Sequence, residues 1–218
     1  KKARIKRRIK EIAGQLLKVA AERELLKGDI FDVNPSSWDE FCAKFPYDET
    51  EDQEIAIADV LKDMSSGKPM DRLVCGDVGF GKTEVALRAA FVAVMSGKQV
   101  ALVTPTTLLS RQHTISFNER FRDLPVEIRQ LSRFVNKSSA RETRIGIADG
   151  RVDIVIGTHA ILSKSVSFSR LGLVIIDEEQ HFGVVHKERL KNLKSDVHVL
   201  TLTATPIPRT LQLALSGV

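Results

Sequence analysis

Short, almost entirely apolar runs alternate with amphipathic helical stretches along the chain from residue 72 onward. This pattern predicts strands at 72–75, 99–104, 126–131, 152–156, 172–176 and 197–203. It predicts helices at 82–96, 107–122, 137–148, 185–193 and 208–216. Strands that are apolar on both faces, such as 100–103 and 173–176, are typical of a parallel sheet covered by helices on both sides. We therefore expect a doubly wound α/β domain with a mainly parallel sheet.

The first 27 residues follow a different pattern. Apolar side chains recur at alternating steps of four and three from Ile5 to Leu26, which predicts one helix with a single apolar seam and Gly28 as its C-cap. This segment holds ten Lys or Arg and three Glu, a net charge of +7, so the remaining 191 residues of the +5 chain sum to −2. We divide the chain into a basic linker helix at 1–34 and the α/β domain at 35–218.

The basic helix has two interpretations that the sequence leaves open. Its seam is suited to packing on a neighbouring domain, and the cations of residues 1–10 are suited to phosphate contacts. Because the chain begins inside this predicted helix and without Met, we expect it to be a piece of a longer protein.

Composition narrows the class of protein. A chain of 218 residues with 43% hydrophobic and 28% charged residues is typical of a globular protein with a sizeable core. No apolar run approaches the roughly 18 residues of a membrane-spanning helix, and the basic start is not followed by the apolar stretch of a signal peptide. Cys42 and Cys75 lack the spacing of a zinc site or a disulfide framework, so we expect a reducing, cytoplasmic location.

A glycine-rich loop is the strongest local signal. Its residues match G-x-x-x-x-G-K-[ST] in full: Gly76, Asp77, Val78, Gly79, Phe80, Gly81, Lys82 and Thr83. The loop follows a predicted strand and opens a predicted helix, the context in which backbone N–H groups and the positive helix end surround a phosphate chain. We expect Lys82 to neutralise the β- and γ-phosphates of ATP and Thr83 to ligate Mg²⁺, and we include Glu84, the next residue, among the nucleotide-binding residues.

A pair of acidic residues follows the fifth predicted strand. Asp177 and Glu178 lie at the carboxyl end of that strand, 95 and 96 residues after Lys82, where parallel sheets bind their ligands. Asp177 is suited to holding Mg²⁺, and Glu178 to orienting or deprotonating the attacking water. Acidic residues after a strand are also common in helix caps, but together with the phosphate loop they predict an NTPase with Lys82, Asp177 and Glu178 as catalytic residues.

Hydroxyl-bearing turns close three further strands. Two of them are candidate contacts for DNA phosphates without base readout: Pro105, Thr106 and Thr107, and Gly157, Thr158 and His159. The third is a candidate relay between the nucleotide and the polymer: Thr203, Ala204 and Thr205. Each of the two candidate DNA-contacting turns by itself is more typical of helix capping, and it is their joint occurrence with the phosphate loop and the acidic pair that favours DNA contacts.

Gln53 has two interpretations. It is the third residue after Thr50 and so completes a capping box, and it lies 23 residues before Gly76, where its amide is suited to reading the adenine edge. The second interpretation places Phe45 or Tyr47 beside the adenine ring. The two roles are compatible, because the cap uses only one group of the side chain.

Residues 45–218 resemble superfamily 2 helicases. Residues 74–86 and 203–210 (TATPIPRT) look most like the bacterial transcription-repair coupling factors, whereas the related fork-remodelling helicase RecG shares the second stretch but usually has Ser where Phe80 stands. The resemblance implies a RecA-like fold and an ATP-driven double-stranded DNA translocase, which displaces stalled RNA polymerase and recruits excision-repair proteins. The family commonly has His-Arg-Phe-Gly after its Asp-Glu-Glu, whereas this chain has Gln-His-Phe-Gly, which bears on the coupling role expected for Gln180.

Three hypotheses remain open from the sequence: a translocase lobe of the coupling-factor type, a lobe of a fork-remodelling helicase, and a nucleotide-dependent binding module without motor activity. Motors of this kind hydrolyse ATP between two RecA-like lobes, the second of which supplies an arginine. We expect this chain to hold only the first lobe, to bind nucleotide weakly and to hydrolyse it very slowly.

Overall fold

The fold is a six-stranded, wholly parallel sheet. The computed structural model describes residues 27–77, 79–178, 180, 182 and 196–204. Its strands are β1 (Asp71–Cys75), β2 (Gln99–Val103), β3 (Ile128–Leu131), β4 (Ile154–Gly157), β5 (Leu171–Asp177) and β6 (His198–Thr203). They lie in the order β1-β6-β5-β2-β4-β3, and every neighbouring pair is parallel. All six predicted strands and the predicted α/β class are confirmed.

Helices cover the sheet. They are α1 (Pro35–Ala43), α2 (Glu51–Met64), α3 (Lys82–Met95), α4 (Thr107–Arg120) and α5 (Lys137–Ala148), with a 3₁₀ turn at His159–Leu162. The helices predicted at 82–96, 107–122 and 137–148 are confirmed. The helices predicted at 185–193 and 208–216 lie outside the described residues, as do residues 1–26 of the basic linker helix. Residues 27–34 of that linker are described and are not helical. None of the helices in the described ranges combines the length and the apolar character of a membrane span.

Two apolar layers enclose the sheet, because alternate residues of each strand point to opposite faces. One layer packs α2, α3 and α4 against Val100, Leu102 and Leu173, among others. The other packs α5 and the 3₁₀ turn against Ala101, Val103 and their neighbours. Strands β2, β4, β5 and β6 are buried on both faces, whereas β1 and β3 are partly exposed. This burial explains why β2, β4 and β5 form nearly continuous apolar runs in the sequence.

Residues 27–33 pack against the same domain. Phe31 is 2% exposed, and its N–H donates to the Met64 carbonyl at 3.0 Å. The Gly28 N–H donates to the Gly67 carbonyl at 2.9 Å, and a Cβ on Gly28 would lie 2.6 Å from the Lys68 carbonyl carbon. The tight approach explains a glycine here without reference to a helix end. The division of the chain at residue 34 stays a prediction.

Candidate active site

The glycine-rich loop joins β1 to α3 at the carboxyl edge of the sheet. Gly79 and Gly81 have φ values of +92° and +70°, a region that glycine occupies at little cost. Gly81 is the N-cap of α3, and as a glycine it has no side chain with which to cap this helix end. A 14-residue helix therefore directs its positive end at the loop, which is the arrangement that binds phosphate. The predicted loop residue Val78 lies outside the described residues.

Lys82 is folded over this loop. Its Nζ donates to the carbonyl oxygens of Gly76 and of Asp77, the latter at 2.9 Å. The loop borders a cleft of about 620 Å³ whose lining includes Gly76, Asp77, Phe80, Lys82 and Ala204. The ammonium group is thus held by two neutral backbone carbonyls, and a phosphate would outcompete them as a partner because it carries a full negative charge.

Gln53 connects α2 to the loop. Its side-chain Oε1 accepts from the backbone N–H of Thr50 at 3.0 Å, and its backbone N–H donates to Thr50 Oγ1 at 3.3 Å. The predicted capping box is therefore confirmed. Its Nε2 donates to the Phe80 carbonyl at 2.8 Å, and a Cβ on Gly81 would lie 2.2 Å from that nitrogen. One side chain therefore serves the cap and also contacts the phosphate loop. Its contact with adenine stays a prediction.

Phe45 lies away from the cleft. Its ring contacts the ring of Tyr47, with centroids 5.6 Å apart, and faces the guanidinium groups of Arg88 and Arg120 at 6.0 Å and 5.6 Å. Phe45 and Tyr47 are not among the residues that line the 620 Å³ cleft, whereas Thr50 and Gln53 are. The structure thus brings Gln53 to the phosphate loop and leaves Phe45 packed on cations.

Asp177 is the last residue of β5, and it is 7% exposed. Its Oδ2 lies 2.9 Å from Nε2 of His113, a buried residue of α4 that the sequence analysis did not single out. No local signal identified this histidine, because the two residues are 64 positions apart. Strand β6 lies between β1 and β5 in the sheet, so Asp177, at the end of β5, is two strands away from the phosphate loop at the end of β1.

Glu178 has a strained backbone and a fixed carboxylate. Its φ of +55° is unusual for a residue other than glycine and costs of the order of 1–2 kcal/mol. Its Oε1 accepts from the Ala204 N–H at 2.8 Å, and its Oε2 accepts from Thr203 Oγ1 at 3.3 Å and from Gln180 Nε2. Three of the four predicted coupling residues therefore surround the predicted catalytic carboxylate. The fourth, Thr205, lies outside the described residues.

Glu84 does not reach the cleft. Its side chain is 3% exposed, and its Oε1 accepts from Arg88 Nε and from Arg120 Nη2, both at 2.8 Å. Arg88 also pairs with Glu49. This side chain neutralises two arginines in the interior, because α3 turns it towards α4. The predicted nucleotide contact of Glu84 stays a prediction.

The two predicted DNA-contacting turns are neighbours. The Thr104 N–H donates to the Gly157 carbonyl at 2.8 Å, which joins the ends of β2 and β4. Thr106 caps α4, since its hydroxyl accepts from the Leu109 N–H at 3.2 Å; Pro105 and Thr107 flank it. Thr158 is 4% exposed, and His159 is exposed. Thr106 thus has the capping role that the sequence left open.

A basic groove lies beside these turns. It has a volume of about 410 Å³ and is lined by Thr158, His159 and three cations, Arg133, Lys137 and Arg144. None of the three cations forms a salt bridge with a residue that the structure describes, and Arg144 Nε is buried without a hydrogen-bond partner there. No local pattern shows this groove, because its cations follow β3 whereas Thr158 and His159 follow β4, and only the pairing of the two strands brings them together.

The donors for a magnesium ion are few. Within the described ranges no group of three or more His, Cys, Asp or Glu residues is arranged to hold a metal. Mg²⁺ is commonly held by one or two carboxylates together with the phosphates of a nucleotide. The described Thr83, at the start of α3, and Asp177, at the end of β5, fit that mode, and they do not form a metal site by themselves.

Comparisons with known proteins agree with this geometry. Residues 50–214 match the DEAD/DEAH box helicase family. The chain is 55% identical to the transcription-repair-coupling factor of Bacillus subtilis over 217 residues and 53% identical to that of Haemophilus influenzae over 211 residues. These alignments include 100% and 97% of this chain, but the chain spans only 18% of the length of either relative.

A solved structure shows the same fold. The structure of RecG bound to a three-way DNA junction superposes with a TM-score of 0.79 and 37% sequence identity, over 92% of this chain and 27% of RecG. The parallel sheet and its flanking helices are thus those of a RecA-like helicase lobe. With the family match over residues 50–214, this shows that the chain belongs to the DEAD/DEAH box helicases, a family of ATP-hydrolysing motor proteins.

Proposed function

We propose that this chain is the ATP-binding motor lobe of a double-stranded DNA translocase that displaces stalled RNA polymerase and couples transcription to nucleotide excision repair. The observation that carries the proposal is the identity of 53–55% with transcription-repair-coupling factors along almost the whole chain. RNA polymerase and the excision-repair proteins are the partners that the names of these relatives suggest. The cytoplasmic location stays a prediction that goes with this function.

The nucleotide chemistry follows from the cleft. Lys82 would exchange its two carbonyl partners for the β- and γ-phosphates, and the N-terminus of α3 would add its N–H groups. Thr83 and Asp177 would hold Mg²⁺, which when bound neutralises charge on the phosphates. Glu178 would orient the attacking water, and its contacts with Thr203, Ala204 and Gln180 fix the carboxylate for that task.

The DNA contacts would lie at the ends of β2 and β4. The basic groove supports this assignment, because three cations without salt-bridge partners in the described part of the chain stand beside Thr158 and His159. Phosphate contacts of this kind give affinity without sequence readout and make binding depend on salt. The affinity for DNA falls as the salt concentration rises. Replacing Arg133, Lys137 and Arg144 by Gln should make the negative slope of log affinity against log salt concentration shallower by about 2–3.

Site-directed variants of the full-length protein that carries this lobe test the proposal. We expect duplex DNA to stimulate ATP hydrolysis, and Lys82→Ala and Glu178→Gln each to abolish translocation. Lys62→Ala and Glu142→Gln are matched controls, because both residues are exposed and outside the cleft. Translocation that survives Glu178→Gln would contradict the catalytic assignment. Hydrolysis that is indifferent to DNA would instead favour a nucleotide-dependent binding module.

A fork-remodelling helicase is the second candidate. It is favoured by the RecG neighbour, whose fold covers 92% of this chain at 37% identity. The two candidates differ in what the full-length protein does with its DNA. Release of a stalled RNA polymerase from a linear template supports the first candidate, and regression of a branched substrate without release of polymerase supports the second.

A further inference from the structure

His113 holds the carboxylate that the nucleotide chemistry places next to magnesium. Its Nε2 lies 2.9 Å from Asp177 Oδ2, and both residues are 7% exposed. In the described part of the chain, His113 is the only basic side chain within ion-pair distance of Asp177. A buried carboxylate with one side-chain partner depends on that partner for its orientation, because the cost of losing a hydrogen bond to a buried charged group is large.

The histidine is itself firmly placed. It lies in the second turn of α4, and its ring meets the ring of the buried Phe117 edge-on, with centroids 6.4 Å apart. Farther along, Arg120 anchors the end of α4 to the buried Glu84. The imidazole is therefore presented to β5 by a helix whose own position is fixed by packing and by a buried ion pair.

We propose that His113 is a positioning residue that orients Asp177 for its magnesium ion and joins that ion's site to the start of α4. The inference rests on the proposed nucleotide function. Thr106, the cap of α4, precedes His113 by seven residues, which is about 10 Å along the helix. The rigid helix thus spans the distance between the candidate DNA-contacting turn and the Nε2–Oδ2 hydrogen bond.

A purely structural role predicts something different. A histidine that only stabilised the fold would change the stability of the chain and would leave the effect of magnesium on nucleotide affinity unchanged. A positioning role changes that effect, because Mg²⁺ requires near-ideal octahedral geometry and tolerates a misplaced carboxylate poorly. Outer partners of metal ligands typically contribute 10–100-fold to metal affinity or activity.

The test compares nucleotide affinity with and without magnesium. A fluorescent ADP analogue is titrated into the 218-residue chain in EDTA and in saturating Mg²⁺. The quantity measured is the ratio of the dissociation constant in EDTA to the dissociation constant in Mg²⁺. We expect His113→Ala to lower that ratio about tenfold and His113→Gln, whose amide nitrogen reaches a similar position to Nε2, to restore most of it. Gln112→Ala, an exposed neighbour on α4, is the matched control and should leave the ratio unchanged.

Two safeguards keep the outcome interpretable. Thermal unfolding is recorded for each variant, and if His113→Ala does not fold, the pair His113→Asn and His113→Gln carries the test, because the Asn amide is too short to reach Asp177. A ratio that stays within twofold of wild type in His113→Ala or His113→Asn overturns the inference, and so does an equal loss in His113→Gln. Wild-type chain whose nucleotide affinity ignores Mg²⁺ would refute the proposed function as well.

Discussion

Glu84 offers a stringent test of the interior beneath the phosphate loop. Its carboxylate is 3% exposed, and a single oxygen accepts hydrogen bonds from Arg88 and Arg120, which are 7% and 8% exposed. Burial lowers the pKa of the Arg120 guanidinium, and the negative charge of Glu84 opposes that change. Glu84→Gln keeps the shape and the acceptor oxygen but removes the charge, so Arg88 would keep only its pair with Glu49 and Arg120 would lose its ion-pair partner.

The expected cost follows from the geometry. Removing one partner of a buried ion pair typically destabilises a protein by about 3–5 kcal/mol, because a buried charge is left uncompensated. The glutamine oxygen still accepts both hydrogen bonds, so we expect the lower end, about 3 kcal/mol. With a urea dependence of about 2 kcal/mol per molar, the unfolding midpoint should fall by about 1.5 M.

Equilibrium urea unfolding measures this directly. Trp38 is the only tryptophan, and its ring lies 5.7 Å from the Arg88 guanidinium carbon, so its fluorescence reports on this region. Asp149→Asn is the control, because its pair with Arg151 is exposed and screened by water and so should contribute little to stability. A Glu84→Gln midpoint within 0.3 M of wild type, at an unchanged slope of roughly 2 kcal/mol per molar, would refute the assigned role of the buried carboxylate.

Two further predictions concern the sheet and the acid range. A Cβ on Gly157 would lie 1.9 Å from the Leu131 carbonyl oxygen, so Gly157→Ala should destabilise the chain by about 1–3 kcal/mol in urea unfolding; a neutral result would contradict the described pairing of β3 and β4. The hydrogen bond from Arg88 lowers the pKa of Glu49 from its ordinary 4.5. Its stabilisation should therefore be present above pH 4.5 and disappear as the pH falls through the lowered pKa, so the stability difference between wild type and Glu49→Gln should shrink on acidification; a difference that is constant from pH 7 to 3 would contradict it.

The strands and the phosphate loop could be predicted because their signals are local. A parallel strand buried on both faces is a continuous apolar run, and the loop 76–83 carries its glycines and its lysine within eight residues. The capping box of Thr50 and Gln53 spans four residues and is found as predicted.

The features that were missed depend on contacts between distant parts of the chain. Local patterns do not give the strand order, and it is this order that places β3 beside β4 and so assembles the basic groove. His113 meets Asp177 across 64 residues, and Arg120 meets Glu84 across 36. Glu84 follows the phosphate loop directly in sequence, and no local pattern shows that the helix beginning at Lys82 directs its side chain into the interior.

The most direct test of the central claim is ATP binding and turnover by this 218-residue chain, with and without duplex DNA, beside Lys82→Ala. We predict nucleotide binding that Lys82→Ala removes and turnover at background in every sample, because a second lobe would complete the site. Absence of any binding that depends on Lys82 would contradict the nucleotide site itself. Robust turnover that Lys82→Ala abolishes would show that the site is complete within these residues, and would contradict the account of the chain as half of a two-lobed motor.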